Sequence, residues 1–310
     1  MSRKPQVEMI REVKAMMITA LLTSMIMLAC GTPRAGFTTE TAQRGDFRER
    51  DEINQTYQLA PGARVEVSSI RGPVEIVNAD TAKAEVQIIR TARTRADLEY
   101  HKIEVQQTGN TLVVRGVQES EERQRQNVQV NHHVILKLPR RIDLSVHSVS
   151  GRLKVGDVDG QVHVSSISGS ANIGDVGNKL QVSSVSGSLE VGNVGAEARV
   201  TSISGNLRLG QVNGSLDVSS VSGGLNATLV SLHPQGIHIQ SVSGSIEIGF
   251  KSDVNADFTA EHVSGQVYLD MPNVTRDSEA KSSNVRARIG AGGTPITISS
   301  VSGNIRLTRS

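Results

Sequence analysis

A four-residue phrase, Ser-Val-Ser-Gly or Ser-Ile-Ser-Gly, recurs along this chain and constrains its fold more than any other feature. Successive final glycines are 18 residues apart for the first four steps, then 21, 21 and 38 apart. Self-similarity at a short period is typical of folds built by stacking one unit on the next. The phrase ends at Gly151, Gly169, Gly187, Gly205, Gly223, Gly244 and Gly303, and a His-Val-Ser-Gly variant ends at Gly265.

Aliphatic residues keep fixed places around the glycine, at positions −7, −5, −2, +2, +4 and +7. Alternation of this kind predicts strands rather than helices. The set maps onto itself when shifted by nine, so each unit of 18 residues consists of two similar halves. We therefore predict an all-β fold, a two-sided parallel β-solenoid with one repeat in each coil. The unit around Gly187 places these residues at Leu180, Val182, Val185, Leu189, Val191 and Val194.

The same alternation predicts where the chain turns. Strands over positions −2 to +4 and +7 to +13 leave two corners, exemplified by Gly192-Asn193 and Ser183-Ser184. Glycine supplies unusual backbone angles, and serine side chains bond to their own backbone in turns. The glycine of the phrase is then expected to point inward, and the alternative is a bend or bulge at that glycine.

The template is already present at Ser69-Ile70-Arg71-Gly72, which adds Gly72 to the structural glycines. Residues 80–140 depart from it and contain a charged loop at 119–126. Because an uncovered end coil is an unpaired sheet edge, we expect irregular strands to form an N-terminal cap. The predicted boundaries are a signal peptide at 1–29, a flexible tether at 30–55, a cap at 56–140 and regular solenoid repeats at 141–310.

Three other repeat folds fit less well. Left-handed hexapeptide helices need aliphatics every six residues, and pectin-lyase-like helices use longer three-sided coils with a carboxylate cluster. Calcium-binding β-rolls place oxygen ligands at each corner, and Ca²⁺ takes six to eight of them. The corresponding column here changes from carboxylate to amide along the chain, so we expect neither calcium nor any other metal. Its members are Asp157, Asp175, Asn193 and Gln211.

The N-terminus has the features of an export signal. Four basic residues precede an apolar run at 15–29, which is short for a transmembrane span. The run ends Met27-Leu28-Ala29-Cys30, similar to a bacterial lipoprotein box, so Cys30 is the expected lipidation site. An ordinary secretory peptide followed by a stray or buried thiol is the alternative. The expected location is the bacterial cell envelope, with the outer membrane as destination in a double-membraned cell.

The charge balance does not predict a nucleic-acid partner. Residues 1–29 carry four of the 33 basic and two of the 31 acidic side chains, so the remainder carries 29 of each. Nucleic-acid binding usually leaves a strongly basic face. The expected partners are the membrane, through the lipid anchor, and an unidentified protein or glycan.

No residue pattern predicts catalysis or a cofactor. A nucleophilic serine needs one site with a base and an oxyanion hole, whereas the −1 serine is repeated in every coil. The best histidine pair for a metal is His233 and His238, which flank a loop, and the histidines are otherwise expected at exposed positions. The repeated hydroxyls are instead a candidate binding face, made of Ser150, Ser168, Ser186, Ser204, Ser222 and Ser243.

Three segments resemble a known family: Val263–Leu269, Ile298–Leu307 and Leu138-Pro139. They are similar to the bacterial putative-adhesin family of β-strand-repeat proteins, a domain of unknown function, over residues 62–308. The resemblance implies a non-enzymatic surface used for adhesion or binding, and it supplies no catalytic residues. Two alternatives are an accessory protein of envelope stress or assembly that binds another envelope component and, less favoured, a glycan-active enzyme.

Overall fold

The computed structural model describes residues 48–118, 130–277 and 284–309, which form 25 strands and one short helix. Cys30 and the predicted signal peptide lie outside these residues. The elements are β1 Glu49–Gln58, β2 Ala63–Arg71, β3 Val74–Ala79, β4 Lys83–Ala92, α1 Arg95–Tyr100, β5 His101–Thr108, β6 Thr111–Gln118, β7 Val130–Pro139, β8 Ile142–Ser150, β9 Leu153–Val155, β10 Val162–Ser168, β11 Ala171–Ile173, β12 Leu180–Ser186, β13 Leu189–Val191, β14 Ala198–Ser204, β15 Leu207–Val212, β16 Leu216–Ser222, β17 Leu225–Leu229, β18 Ile237–Ser243, β19 Ile246–Phe250, β20 Ala256–Ser264, β21 Val267–Asp270, β22 Val274–Arg276, β23 Asn284–Ile289, β24 Thr294–Ser302 and β25 Ile305–Arg309.

The strands form two sheets, which confirms the predicted all-β, parallel solenoid. Sheet I has 13 strands in the order β22-β23-β20-β24-β18-β16-β14-β12-β10-β8-β2-β6-β5. Sheet II has 12 strands in the order β1-β4-β7-β3-β9-β11-β13-β15-β17-β19-β25-β21. Each regular coil gives a seven-residue strand to sheet I and a shorter strand to sheet II, and neighbouring coils pair in parallel with identical positions opposite each other.

The core is a continuous file of aliphatic side chains between the two sheets. In the coil of Gly187, five of the six predicted positions are less than 4% exposed: Leu180, Val182, Leu189, Val191 and Val194. The valine at +7 also forms an isolated bridge to its equivalent in the next coil, as Val176 does with Val194. Aliphatic burial repeated in every coil therefore makes each coil stable only against its neighbours.

One predicted corner is wrong, because strand β12 runs without interruption through Ser183-Ser184. The chain turns instead at the glycine, where Gly187 has φ of +124°. A Cβ on Gly187 would overlap the carbonyl oxygen of Gly169 in the preceding coil. The expectation that this glycine points inward is also wrong, and the alternative of a bend is the one observed. The other predicted corner, Gly192-Asn193, does lie between strands.

The glycines of the phrase stack in single file. Each has φ between +122° and +138°. Their amides continue the hydrogen-bond ladder across the turn, as when Gly187 N donates to Ser204 O over 3.1 Å. The order along the file is Gly72, Gly151, Gly169, Gly187, Gly205, Gly223, Gly244, Gly303 and Gly265.

The N-terminal end is capped by antiparallel strands. The first coil, β2 with β3, lies between the coil of β8 and β9 and an outer coil made of β6 and β7. Beyond that outer coil, β5 pairs antiparallel with β6 in sheet I. In sheet II, β4 pairs antiparallel with β7, and β1 pairs antiparallel with β4. Strand β1 starts at Glu49, so residues 49–55 belong to the sheet rather than to the tether predicted for 30–55.

The C-terminal coils are stacked out of sequence order. The last coil, β24 with β25, lies between the coil of β18 and β19 and the earlier coil of β20 and β21. After Phe250, the next residues in sequence form the end coil and the antiparallel strands β22 and β23. The residues that follow them, in β24 and β25, then lie between this end coil and the coil of β18 and β19. The final coil is therefore internal, paired on both sides.

Candidate binding surface

The outer surface of sheet I is shaped by the uninterrupted strand that precedes each glycine. Alternation from position −7 turns −7, −5 and −3 inward, so the serine at −3 faces inward and the aliphatic at −2 faces outward. The −3 serine is half-buried in the coils of Gly169 and Gly187 and buried in four later coils. Ser202 and Ser220 are 1% and 7% exposed, and neither hydroxyl has a hydrogen-bond partner among the described residues. Ser241 and Ser300 are also buried, and each Oγ donates to the carbonyl of the −1 serine at 3.5 and 3.4 Å.

Five aliphatic side chains consequently face outward beside the glycine file; three are exposed, and Val221 and Val242 are half-buried. Ile203 is 50% exposed, Val301 49% and Val263 80%, whereas core neighbours such as Leu207 are about 2% exposed. We call the five outward aliphatics of consecutive coils, with the −1 serines that follow them, the corner strip. Its members, in stacking order, are Ile203, Val221, Val242, Val301 and Val263, with Ser204, Ser222, Ser243, Ser302 and Ser264.

The six serines predicted as a binding face form one column. Parallel pairing places Ser150 opposite Ser168, Ser168 opposite Ser186, and so on to Ser222 opposite Ser243. All are exposed except Ser150, which is half-buried. Since neighbouring strands lie about 4.8 Å apart, the hydroxyls repeat at that spacing along the stack.

The described part of the chain brings one serine and one histidine into contact, away from the −1 column. Ser145 Oγ lies 3.1 Å from His147 Nε2 on the outer face of β8. The ring of His147 is next to that of His163, with centroids 5.5 Å apart, rather than a carboxylate. Burial, then the charge of His147, lowers the pKa of His163. The arrangement lacks the third, orienting group of a triad.

A row of alternating charges crosses sheet I beside these histidines. Lys179 lies 3.0 Å from Glu197, and Arg199 lies 3.2 Å from Glu197 and 3.3 Å from Asp217. Lys179 and Glu197, like Arg199 and Asp217, are one 18-residue repeat apart, so each pair joins adjacent coils. The hydrogen bond from Lys179 lowers the pKa of Glu197. These side chains border an open groove of about 400 Å³ that extends to Arg64. Exposed pairs of this kind contribute under about 1 kcal/mol each and mainly fix register.

The predicted corner column binds its own backbone. An Asp175 carboxylate oxygen accepts from Asn193 N at 2.7 Å, and Asn193 Oδ1 accepts from Gln211 N at 3.0 Å. Asp157 accepts in the same way from Asp175 N at 3.0 Å. A carboxylate oxygen and an amide oxygen can both accept this hydrogen bond from the backbone N–H of the next coil. The column can therefore change from Asp to Asn along the chain.

Two further pairs of histidines lie elsewhere in the fold. His233 Nδ1 accepts from Gln235 N at 3.3 Å, and His238 is exposed on β18. Within the described ranges, no three His, Cys, Asp or Glu residues converge as a metal site would require. His101 and His132 are 7% and 4% exposed, so the expectation of exposed histidines is wrong for this pair.

Those two histidines belong to a buried polar cluster in the cap that the sequence did not indicate. Arg90, 9% exposed, donates to the carbonyl oxygens of Leu98 and His101 at 3.0 and 3.2 Å and pairs with Asp51. Burial lowers the pKa of His132 to about 4, helped by the charges of His101 and Arg90. Only the alternation of β7, which separates His132 from His133, was available as a signal.

The fold and its surface define a class, a stacked parallel solenoid with a repeated outer face and an N-terminal cap. Residues 63–308 match the family model described as Toastrack DUF4097, a domain of unknown function, and the chain belongs to this family. This confirms the resemblance stated for residues 62–308.

Two solved structures are similar at low sequence identity. A putative adhesin from Bacteroides fragilis NCTC 9343 is 14% identical, with a TM-score of 0.45, over 83% of this chain and 97% of its own. A putative lipid binding protein from Parabacteroides distasonis ATCC 8503 is 13% identical, with a TM-score of 0.38, over 83% and 96%. No curated protein matches this chain. Within the residues described, no helix has the length and apolar character needed to cross a membrane.

Proposed function

We propose that this protein is a non-enzymatic binding protein of the bacterial cell envelope that presents the corner strip to a protein or glycan partner. The observation that carries this proposal is the file of five outward aliphatics, of which three are 49–80% exposed and two are half-buried, with an exposed serine hydroxyl beside each. Apolar side chains that face outward together along one file, rather than scattered singly, are typical of interaction sites.

The strip suits a repetitive or extended partner. Aliphatic side chains supply apolar contact area, and the adjacent hydroxyls both donate and accept hydrogen bonds. The strip has no charged residue at its two repeated positions between Ile203 and Val263. A surface of this kind favours recognition over chemistry, which is why we assign it no catalytic residue.

The proposal includes an anchor at the N-terminus. Signal-peptide removal before Cys30 and lipidation of its thiol would hold the chain at a membrane, with residues 30–48 between the lipid and strand β1. One acyl chain alone gives marginal membrane binding, whereas two or more anchor stably. The solenoid would then be displayed from the envelope by its capped end.

The proposed surface is tested by replacing three strip aliphatics together with serine, Ile203→Ser, Val221→Ser and Val242→Ser. Because each removes apolar contact area while leaving the strand intact, we expect affinity for envelope extract to fall about tenfold or more. Stability should change by no more than about 0.5 kcal/mol at the exposed Ile203 and by about 1 kcal/mol at each of the half-buried Val221 and Val242. Binding of the fluorescently labelled full chain to immobilised envelope extract measures the effect.

The matched control changes the neighbouring outward column of the same three strands, Thr201→Ala, Ser219→Ala and Gln240→Ala. These positions lie on the same face of sheet I, two residues before the aliphatics. Unchanged binding by the control and loss by the strip variant is the expected result. Equal binding by the strip variant and the parent chain would contradict the proposal.

A further inference from the structure

The N-terminal cap contains a second, unrelated concavity of about 210 Å³. It lies where β2 and β6 end and β5 and β7 begin. Its lining combines basic side chains, imidazoles, one hydroxyl and exposed backbone. The residues are Ser69, Arg71, His101, Lys102, Gly116, Val117 and His132.

The first coil departs from the repeat at this place. Arg71 occupies the −1 position, where every later copy of the phrase has serine. Ser69 has φ of +59°, a left-handed conformation that is uncommon for a residue with a side chain. The pairing of β2 with β8 slips on both sides of Ile70, and Ile70 is fully buried although its equivalents face outward. Bulges of this kind re-aim side chains and are frequent beside functional sites.

The backbone is also brought unusually close around the concavity. Gly116 sits against Ser69, and a Cβ on Gly116 would overlap the Ser69 carbonyl oxygen. The space is therefore kept open by a glycine on one side and by a bulge on the other.

His132 is the feature that points to a ligand. It is 4% exposed, it lines the concavity, and neither Nδ1 nor Nε2 has a hydrogen-bond partner among the described residues. A buried polar group without a partner costs about 1–3 kcal/mol, so such a group calls for one. The backbone of His101 and of Arg71 lies close enough to favour the protonated ring slightly, but not enough to offset burial.

The basic residues around the concavity favour a ligand with negative charge. Arg71 and Lys102 line it, the ring of His101 lies 6.1 Å from that of His132, and Arg90 lies behind them. Two carboxylates pair with these basic residues from outside the lining, Asp51 with Arg90 and Glu99 at 4.0 Å from Lys102. No carboxylate is among the described residues that line the space.

We propose that this concavity is a binding site for a tetrahedral oxyanion of the phosphate class. Arg71 contributes a planar set of donors that matches phosphate oxygens, Lys102 contributes charge, and His132 donates from a ring nitrogen. The volume accommodates a single phosphoryl group, either a free ion or the head of an anionic lipid. This site is independent of the corner strip.

Inorganic phosphate and the full chain provide the test. Proton NMR of the His132 ring follows both occupancy and its pKa, which is about 4 before phosphate is added. We expect phosphate to shift the His132 resonances saturably and to raise this pKa, because a nearby anion stabilises the protonated ring. Arg71→Gln should weaken phosphate binding about tenfold, since it removes a charge-assisted pair.

His133→Gln is the matched control, because His133 is adjacent on the other face of β7 and should leave phosphate binding unchanged. Vesicles of phosphatidylglycerol and of phosphatidylcholine distinguish a lipid source from a free ion. The site is supported if phosphate, or phosphatidylglycerol alone, perturbs the His132 resonances and Arg71→Gln reduces that effect. If neither probe perturbs His132, or if Arg71→Gln responds like the parent chain, the proposal is overturned.

Discussion

Replacement of Gly187 by alanine should destabilise the protein by more than about 3 kcal/mol in the free energy of unfolding. Two effects combine at this residue. The φ of +124° lies in a region that residues with side chains rarely adopt, which costs about 1–3 kcal/mol. The new Cβ would also overlap the Gly169 carbonyl oxygen, and relieving that overlap requires two coils to separate. Urea-induced unfolding followed by circular dichroism measures the loss.

Two other glycines separate these contributions. Gly293 has φ of +119°, but a Cβ there would meet nothing within 4 Å, so Gly293→Ala tests the backbone angle alone. Gly224 has an ordinary φ and only contacts at 3.5 Å or more, so Gly224→Ala should change stability by no more than about 0.5 kcal/mol. A Gly187→Ala protein as stable as Gly224→Ala would show that the coils do not approach each other at the glycine file.

Removal of residues 294–310 should unfold the C-terminal third of the solenoid rather than shorten it by one coil. This segment supplies β24 and β25, which are paired on both sides. It also supplies four side chains that are fully buried, each typically worth about 2–5 kcal/mol. Together they contribute about 8–20 kcal/mol, as much as the whole net stability of a typical domain, about 5–15 kcal/mol. These side chains are Ile296, Ile298, Ile305 and Leu307.

Limited proteolysis reads this outcome directly. We expect cleavage within 237–277 in the truncated chain, and resistance in a control that lacks only residue 310.

Cross-linking tests the same stacking order in the intact chain with Cys30→Ser. Gln240→Cys with Ser299→Cys should form a disulfide, because these residues are paired, whereas Gln240→Cys with Glu261→Cys should not. A truncated chain that stays resistant through residue 277 would contradict the internal placement of the last coil.

The stacked fold could be predicted because the same pattern of aliphatic residues recurs many times in the sequence. Aliphatics such as Leu189 and Val191 recur at the same offsets in every coil, and an 18-residue period leaves few architectures open. The same period places opposite charges in adjacent coils, as Lys179 with Glu197 shows. These features are local or one coil apart, which is the range over which a repeat is informative.

The direction of the −2 side chain could not be predicted, because period two alone does not say where a strand ends. We placed the −2 aliphatic, such as Ile203, on the inner face by assuming a corner at the two residues before it. Strand β12, for example, runs on to Ser186, and the glycine makes the turn. An inward serine and an outward aliphatic are the reverse of the usual preference, so composition misled the assignment. This departure is the one that creates the corner strip.

The cap and the stacking order depend on contacts distant in sequence. Nothing near His132 indicates that His101 and Arg90 lie beside it, because three different strands bring them together. Likewise, the spacing of 38 residues before Gly303 shows an insertion but not that the last coil returns to an inner place. Such features depend on which strands pair at the two ends of the solenoid, and the local sequence does not show that pairing.

Maleimide labelling of single cysteines at neighbouring positions tests most directly whether the aliphatics of the phrase face outward. In the full chain with Cys30→Ser, Ile203→Cys and Ser202→Cys place the only thiol on opposite faces of β14. The structure predicts fast labelling of the Ile203→Cys protein in the native state and slow labelling of the Ser202→Cys protein until denaturant is added. Fast labelling at 202 with protection at 203 would contradict the orientation on which the corner strip and the proposed function depend.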